Sequence, residues 1–277
     1  MLKKTVCALA VLPAIYAGAS QASSVDTAIV SANRALSVSL GALNQNYREL
    51  DSGGSVLDKE NGTIPRIGIE YSLMGLQTPL RFYMSADYAG GDTSYKGALQ
   101  NGTPYDTTTG NKIVDLNVGL GYAFGFGRFA VIPGVEYGYS NWQRDVGKGD
   151  PYHGVKETYS HGHMAATLSG QFAMTPKAVL SLGVAYGKTV APTMKIDEQF
   201  GHSVISPTFN LGSKPWSRLS IGLDYAAKKT LHIGGRLAYT QFRYGASPYY
   251  PVGTGTAYEP DSKTRHTTFD FVVSYNF

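Results

Sequence analysis

The sequence predicts an all-β chain: a transmembrane, antiparallel, up-and-down β-barrel of ten strands. Three observations carry that prediction. Apolar residues recur at alternate positions over stretches of about ten residues, the pattern of a strand with one apolar and one polar face. Short turns alternate with long polar connections, and aromatic residues on the apolar face gather at both strand ends. Composition agrees: 20 Tyr, 11 Phe and 33 Gly stand against only 16% charged residues. Aromatic residues favour strands and Gly favours turns.

The first 22 residues have the pattern of a secretory signal peptide. Lys3 and Lys4 form a basic start, Val6 to Ile15 an apolar run too short to span a bilayer as a helix, and small residues follow. The preferred cut follows Ala22, with Ala19 second. This divides the chain into a signal peptide (1–22), a short periplasmic segment (23–34) and a barrel (35–277). Cleavage lowers the formal charge from +4 to +2 and removes Cys7, the single cysteine, so the mature chain cannot form an internal disulfide. So small a charge, with no Lys/Arg cluster along the sequence, argues against a nucleic-acid partner. No cofactor and no metal are expected.

The strands follow in order. The first is expected at about Ala35–Tyr47. Later ones show the alternation plainly: Leu80, Phe82, Met84, Ala86 and Tyr88; Val114, Leu116, Val118, Leu120, Tyr122 and Phe124; Leu180, Leu182, Val184 and Tyr186. The last, His266–Phe277, places Phe269, Phe271, Val273, Tyr275 and Phe277 two apart up to the final residue. Short turns are expected at Gly75–Pro79, Gly125–Arg128, Thr175–Lys177 and Ala227–Thr230. Long loops are expected at Glu49–Thr63, Ala89–Asn111, Ser140–Thr158, Lys188–Pro215 and Tyr244–Arg265. Ile205, Pro207, Phe209 and Leu211 alternate weakly inside the fourth of these, so a hidden strand pair could raise the count to twelve. Pro207 argues instead for loop or edge structure.

Alternation alone does not say which face looks inward, because a soluble sandwich buries its apolar face and a membrane barrel turns it to lipid. The two aromatic belts decide for the barrel. Tyr71, Phe124, Phe129, Phe172, Tyr225 and Phe277 lie at the short-turn end; Tyr88, Tyr137, Tyr139, Tyr186, Trp216 and Tyr239 lie at the long-loop end. The charged residues expected to face the lumen are Arg66, Glu70, Arg81, Asp87, Asp115, Glu136, Asp224, Arg236 and Asp270. With three positive against six negative charges, an open lumen would favour cations, whereas mutual pairing would make the same residues a plug.

The residues now support a resemblance. Over its whole mature length the chain resembles the Gram-negative outer-membrane β-barrel proteins. Phe269, Phe271, Val273, Tyr275 and Phe277 resemble the terminal signal read by the barrel assembly machinery. The stretches FAMTPKAVLSLGVAY and LDYAAKKTLHIGGRLAY resemble the hairpins that turn on the periplasmic side. The resemblance implies an outer-membrane location, with membrane lipid and lipopolysaccharide around the barrel and the assembly machinery as a partner.

Function is less legible. The expected role is that of a non-enzymatic barrel, structural or porin-like, with a narrow channel if the lumen is open. Adhesion through the long outer loops is the alternative. The layout also resembles the omptin endopeptidases, but the candidate acids Asp87 and Asp92 are five apart, and Asp197 and His202 do not form the Asp-x-His unit of that family. His161 and His163, at i and i+2 on a strand, share a face and could bind a metal with His153. The GKG and GTGTA stretches follow no strand into a helix and do not make a phosphate loop.

Overall fold

The computed structural model describes residues 24–75, 78–99, 102–150, 153–200, 203–205, 207–252 and 255–277. The signal peptide (1–22) and His202 therefore lie outside the described residues.

Ten long strands form the staves of a closed antiparallel barrel: β1 (Ala35–Leu50), β2 (Val56–Met74), β3 (Leu80–Ala98), β4 (Pro104–Tyr122), β6 (Phe129–Val146), β7 (Val155–Thr175), β8 (Ala178–Phe200), β11 (Gly212–Ala226), β12 (Leu231–Gly245) and β15 (Asp261–Asn276). Each pairs with its neighbour in sequence. The closing seam joins β15 to β1, with Leu36 opposite Tyr275, Val38 opposite Val273 and Leu40 opposite Phe271. Closure satisfies the strand-edge donors and acceptors that lipid cannot. The remaining strands are short: β5 (Phe124–Phe126) on β6, β9 (Ser203–Ile205) and β10 (Thr208–Asn210) on β8, and the hairpin of β13 (Tyr250–Val252) with β14 (Gly255–Ala257). The weak alternation near Phe209 thus becomes a local attachment, and the barrel has ten staves.

The outside of the lower half is apolar. Leu36, Val38 and Leu40, then Val114, Leu116, Val118 and Leu120, and finally Phe269, Phe271, Val273 and Tyr275, are all exposed. Such a continuous exposed apolar belt is what lipid requires. Tyr88, Tyr137, Tyr139, Tyr186 and Tyr239 rim its upper edge. Trp216 does not. It is buried and points inward, because it shares strand parity with Arg218, Ser220, Gly222 and Asp224, and the irregularity between Ser213 and Trp216 ends the regular register there.

The long loops expected from the sequence are largely wall. β3 and β4 each run 19 residues, where a tilted strand needs about 9–11 to cross a bilayer. The barrel therefore continues as a head above the belt, and the chain between β1 and β2 shrinks to residues 51–55, with Asp51 accepting from the backbone of Gly53 and Ser55. The outward residues of the head are polar (Asn44, Asn46 and Arg48; Lys59, Asn61 and Thr63) while the inward ones (Gln45, Tyr47 and Glu49) are also polar or amphipathic. Hydropathy contrast disappears although the strand persists. At the β7–β8 boundary of the head, Ala191 takes a left-handed φ of 45° where two residues of β8 face His161 alone.

Before the first stave, helix α1 (Thr27–Ala32) is capped by the Asp26 side chain, which accepts from the Ala28 amide at 2.8 Å. Ile29 is fully buried against Ala130, Ala173 and Val179, and Val25 and Val30 pack on Met74, Ala123 and Ile132.

Candidate functional site

The interior has three levels. At the base, α1 lies within the mouth of the barrel. Asn33 donates to Gln171 of β7 at 2.7 Å and to the Ile29 carbonyl at 2.7 Å, and the next residues enter β1 on the opposite side. Arg34 holds the seam, donating to the Phe277 and Met74 carbonyls, each at 3.1 Å.

Above α1 is a polar cavity of about 310 Å³. Arg66, Glu70, Arg81, Asp87, Asp115, Glu136, Asp224, Arg236 and Asp270 all line it. Most are paired. Arg66 bridges Asp87 (2.7 Å) and Asp270; Arg236 meets Glu70 at 2.8 Å; His232 meets Asp224 at 2.7 Å. Glu136 sits at the centre of a brace across the lumen, holding Arg218 at 2.6 Å and His163 at 3.0 Å and accepting from Tyr83. Tyr83 fits there because Gly119 opposite it has no Cβ; one would fall 2.3 Å from the Tyr83 ring. Among the described residues neither Arg81 nor Asp115 has an ion-pair partner; Arg81 instead lies over the Tyr83 ring at 4.8 Å. Arg218 is a further lining cation, outside the set expected from the sequence, though its parity with Ser220 marks it as inward.

The head is filled. Leu43, Tyr47, Ile64, Ile113, Trp142, Tyr159, Met194, Phe209, Trp216, Phe242 and Tyr244 form one buried cluster to which the staves contribute from all sides. The Tyr47 and Tyr159 hydroxyls meet at 3.0 Å, Trp142 donates to Asn111 at 2.7 Å, and Tyr159 stacks on Tyr244 with centroids 5.5 Å apart. Arg144, 1% exposed, lies over the Tyr47 ring at 4.2 Å and pairs with Glu60 (3.0 Å) and Glu157 (2.6 Å), with Glu49 at 3.7 Å. Glu60 also accepts from Gln45, Thr93 and Asn111. Asp58 and Glu259 complete a set of five buried or nearly buried carboxylates around one guanidinium. Burial, then Asp58, raises the Glu49 carboxyl well above its usual range. Burial, then Glu157, lifts Glu259 to about 8. Glu157 is raised too, because burial outweighs the attraction of Arg144.

The two strand histidines share the inward face but not a site. His161 hydrogen-bonds the Tyr244 hydroxyl at 2.8 Å, and His163 stacks on Trp216 at 4.0 Å while contacting Glu136. His153 lies in the outer turn beside Asp150. Among the described residues no group of three or more His, Cys, Asp or Glu side chains is placed to hold a metal ion. Asp87 points into the cavity, whereas Asp92 faces outward to Lys148 at 2.9 Å, so these two acids lie on opposite faces of β3. Asp197 pairs with Lys195 at 2.9 Å.

The chain matches no protein-family model, and no curated protein matches it in sequence. Solved structures do resemble it. The outer membrane protease OmpT from Escherichia coli aligns over 88% of this chain and 97% of its own, with a TM-score of 0.59 at 10% identity. The chain has the outer-membrane β-barrel fold. The translocator domain of the autotransporter NalP from Neisseria meningitidis aligns over 96% of this chain and 93% of its own at 11% identity, with a TM-score of 0.40. The attachment invasion locus protein Ail of Yersinia pestis covers 88% of this outer-membrane-type barrel and 99% of its own chain, at 11% identity and a TM-score of 0.33.

Proposed function

We propose that this chain is a non-enzymatic, structural barrel of the bacterial outer membrane, exported by its 1–22 signal and closed to solutes in its resting state. One observation carries the reading: side chains bridge the lumen from wall to wall in the head, with Tyr47 on β1 hydrogen-bonded to Tyr159 on β7. The α1 plug and the Glu136 brace support it from below. The terminal strand, with Phe269, Phe271, Val273, Tyr275 and Phe277 all outward, suits delivery by the barrel assembly machinery, and membrane lipid and lipopolysaccharide form the surroundings.

Such a barrel acts through its outer surface and its head. A second reading, surface recognition by the head, draws support from Tyr249 and Tyr258, whose tilted rings meet with centroids 4.8 Å apart beside the β13–β14 hairpin, with Tyr249 70% exposed. Proteolysis has less support, since Asp87 is neutralised by Arg66 and Asp92 lies on the other strand face.

The test is osmotic swelling of proteoliposomes in a small sugar. The closed barrel leaves vesicles as tight as protein-free ones. Swelling that rises in proportion to the amount of inserted protein overturns the proposal in favour of a pore.

A further inference from the structure

The strand register lays four inward side chains in one row across the upper end of the lumen cavity. Asp87 on β3 lies opposite Asp115 on β4, Asp115 opposite Ser140 on β6, and Ser140 opposite His161 on β7. All four line the cavity. Two acids directly opposite each other on a sheet face repel. The fold relieves only one of them. Asp87 leans over Gly68 of β2, where a Cβ would collide with its carboxylate, and so reaches Arg66 at 2.7 Å. Arg66 is shared with Asp270, which leaves three carboxylates against one guanidinium at this end. Among the described residues Asp115 has neither an ion pair nor a hydrogen bond. Arg81, the unpaired cation of the cavity, stands six residues from Asp87 on β3, about 20 Å along the strand, and lies over the Tyr83 ring. A carboxylate inside a protein without a counter-charge is costly.

Unused polar groups accompany this acid. Ser140, 7% exposed, makes no side-chain hydrogen bond among the described residues. His266 of β15, 6% exposed, lines the same cavity, and its Nε2 has no partner. The ceiling above them is apolar. Leu43, Trp216 and Phe242 of the head cluster line the cavity, and the Phe242 ring lies 4.9 Å from His161 and 5.5 Å from His266, centroid to centroid. Burial, then the Asp115 carboxylate, raises the Tyr244 phenol in the head, which sets Asp115 just beneath that ceiling.

These features select the ligand. The surplus of acid favours a cation. Among the described residues no three His, Cys, Asp or Glu side chains are placed to hold a metal ion, so recognition falls to hydrogen bonds. Adjoining staves stand about 4.8 Å apart, which is the separation of two oxygens each about 2.9 Å from one tetrahedral nitrogen. An ammonium group, with three donors and no acceptor, fits that spacing. The apolar ceiling suits a short hydrocarbon tail, and 310 Å³ falls in the range of small-molecule sites.

We infer that the upper end of the lumen cavity is a binding site for a small primary amine, with Asp115 taking the ammonium charge, Ser140 accepting a hydrogen bond from it, and Phe242 and Trp216 covering the hydrocarbon tail. This goes beyond the structural role proposed above and needs only the cavity. Vesicle swelling and amine binding therefore fail independently.

The experiment refolds the full barrel into zwitterionic detergent with radiolabelled butylammonium present, so that a closed head does not exclude the probe. Equilibrium dialysis then compares it with protein-free micelles. The expected result is saturable retention of one amine per barrel, at least tenfold weaker in Asp115→Asn and a few-fold weaker in Ser140→Ala. Asp92→Asn, which removes an outward acid of the same sheet, should bind as the native barrel does. Butanol and butyrate, which share the tail but not the charge, should not displace the probe. Because Asp115→Asn removes a lone interior charge, it should resist urea at least as well as the native barrel without amine. Butylammonium should raise the urea midpoint of the native barrel and leave that of Asp115→Asn unmoved. No saturable retention, or equal retention by native, Asp115→Asn and Ser140→Ala barrels, overturns the inference. So does equal displacement by potassium or tetramethylammonium, which would mark a cavity reading positive charge alone.

Discussion

The Tyr47 and Tyr159 hydroxyls lie 3.0 Å apart, although β1 and β7 are five staves apart in a barrel of ten and so face each other across its full width. Each hydroxyl also meets a carboxyl group, Tyr47 that of Glu49 at 2.6 Å and Tyr159 that of Glu259. Deleting either hydroxyl leaves a buried carboxyl group short of a hydrogen-bond partner, which costs about 1–3 kcal/mol. Tyr47→Phe and Tyr159→Phe should each lower unfolding free energy by that amount. In urea titrations of vesicle-inserted protein, the double variant should lose less than the sum of the two.

Among the described residues Arg144 is the one guanidinium amid Glu49, Asp58, Glu60, Glu157 and Glu259. Removing one partner of a buried ion pair costs about 3–5 kcal/mol, because the remaining charge is stranded. Arg144→Met should therefore destabilise the barrel by about that much. Adding Glu60→Gln and Glu157→Gln to it should recover most of the loss, since neither amide needs a counter-charge.

Stability should also depend on pH, with a definite sign. Glu259 titrates near 8 in the folded head, against 4.5 for an exposed glutamate, so the folded state binds the extra proton. Its contribution is complete below about pH 4.5 and is lost as pH rises through 8, at no more than about 1.4 kcal/mol per pH unit for one group. Glu49 and Glu157, also raised, act in the same direction. Unfolding midpoints measured from pH 5 to pH 9 should fall with pH, and Glu259→Gln should flatten the slope.

Gly119 leaves room for the Tyr83 ring beneath Glu136, and a methyl group there falls 2.3 Å from a ring carbon. Gly119→Ala should push Tyr83 off Glu136 and destabilise by about 1–3 kcal/mol, as overpacked interiors do. In a Tyr83→Ser background the same change should cost much less, which separates a local clash from a general intolerance of Ala in β4.

The lower half of this barrel was legible because each strand there separates two very different solvents. Val114, Leu116 and Val118 face outward while Asp115, Asn117 and Gly121 line a polar cavity, so the period-2 pattern is strong. The head was illegible for the converse reason: Asn44 and Arg48 outside and Gln45 and Glu49 inside differ little in hydropathy, and the strands read as loops. Trp216 suits the rim by residue type, although its parity with Arg218 points inward. The cross-lumen contacts have no sequence signature, since Tyr47 and Tyr159 are 112 residues apart. Lys59, Arg48, Lys263 and Arg243 likewise come side by side only through the register, one from each of four neighbouring strands.

The most direct test of closure is the current through single barrels in planar bilayers. The account predicts no conductance steps from the native protein over many insertions. It predicts steps once residues 24–33 are deleted and Tyr47→Ala, Arg144→Ala and Tyr159→Ala hollow the head. A steady ohmic current through the native barrel would contradict it.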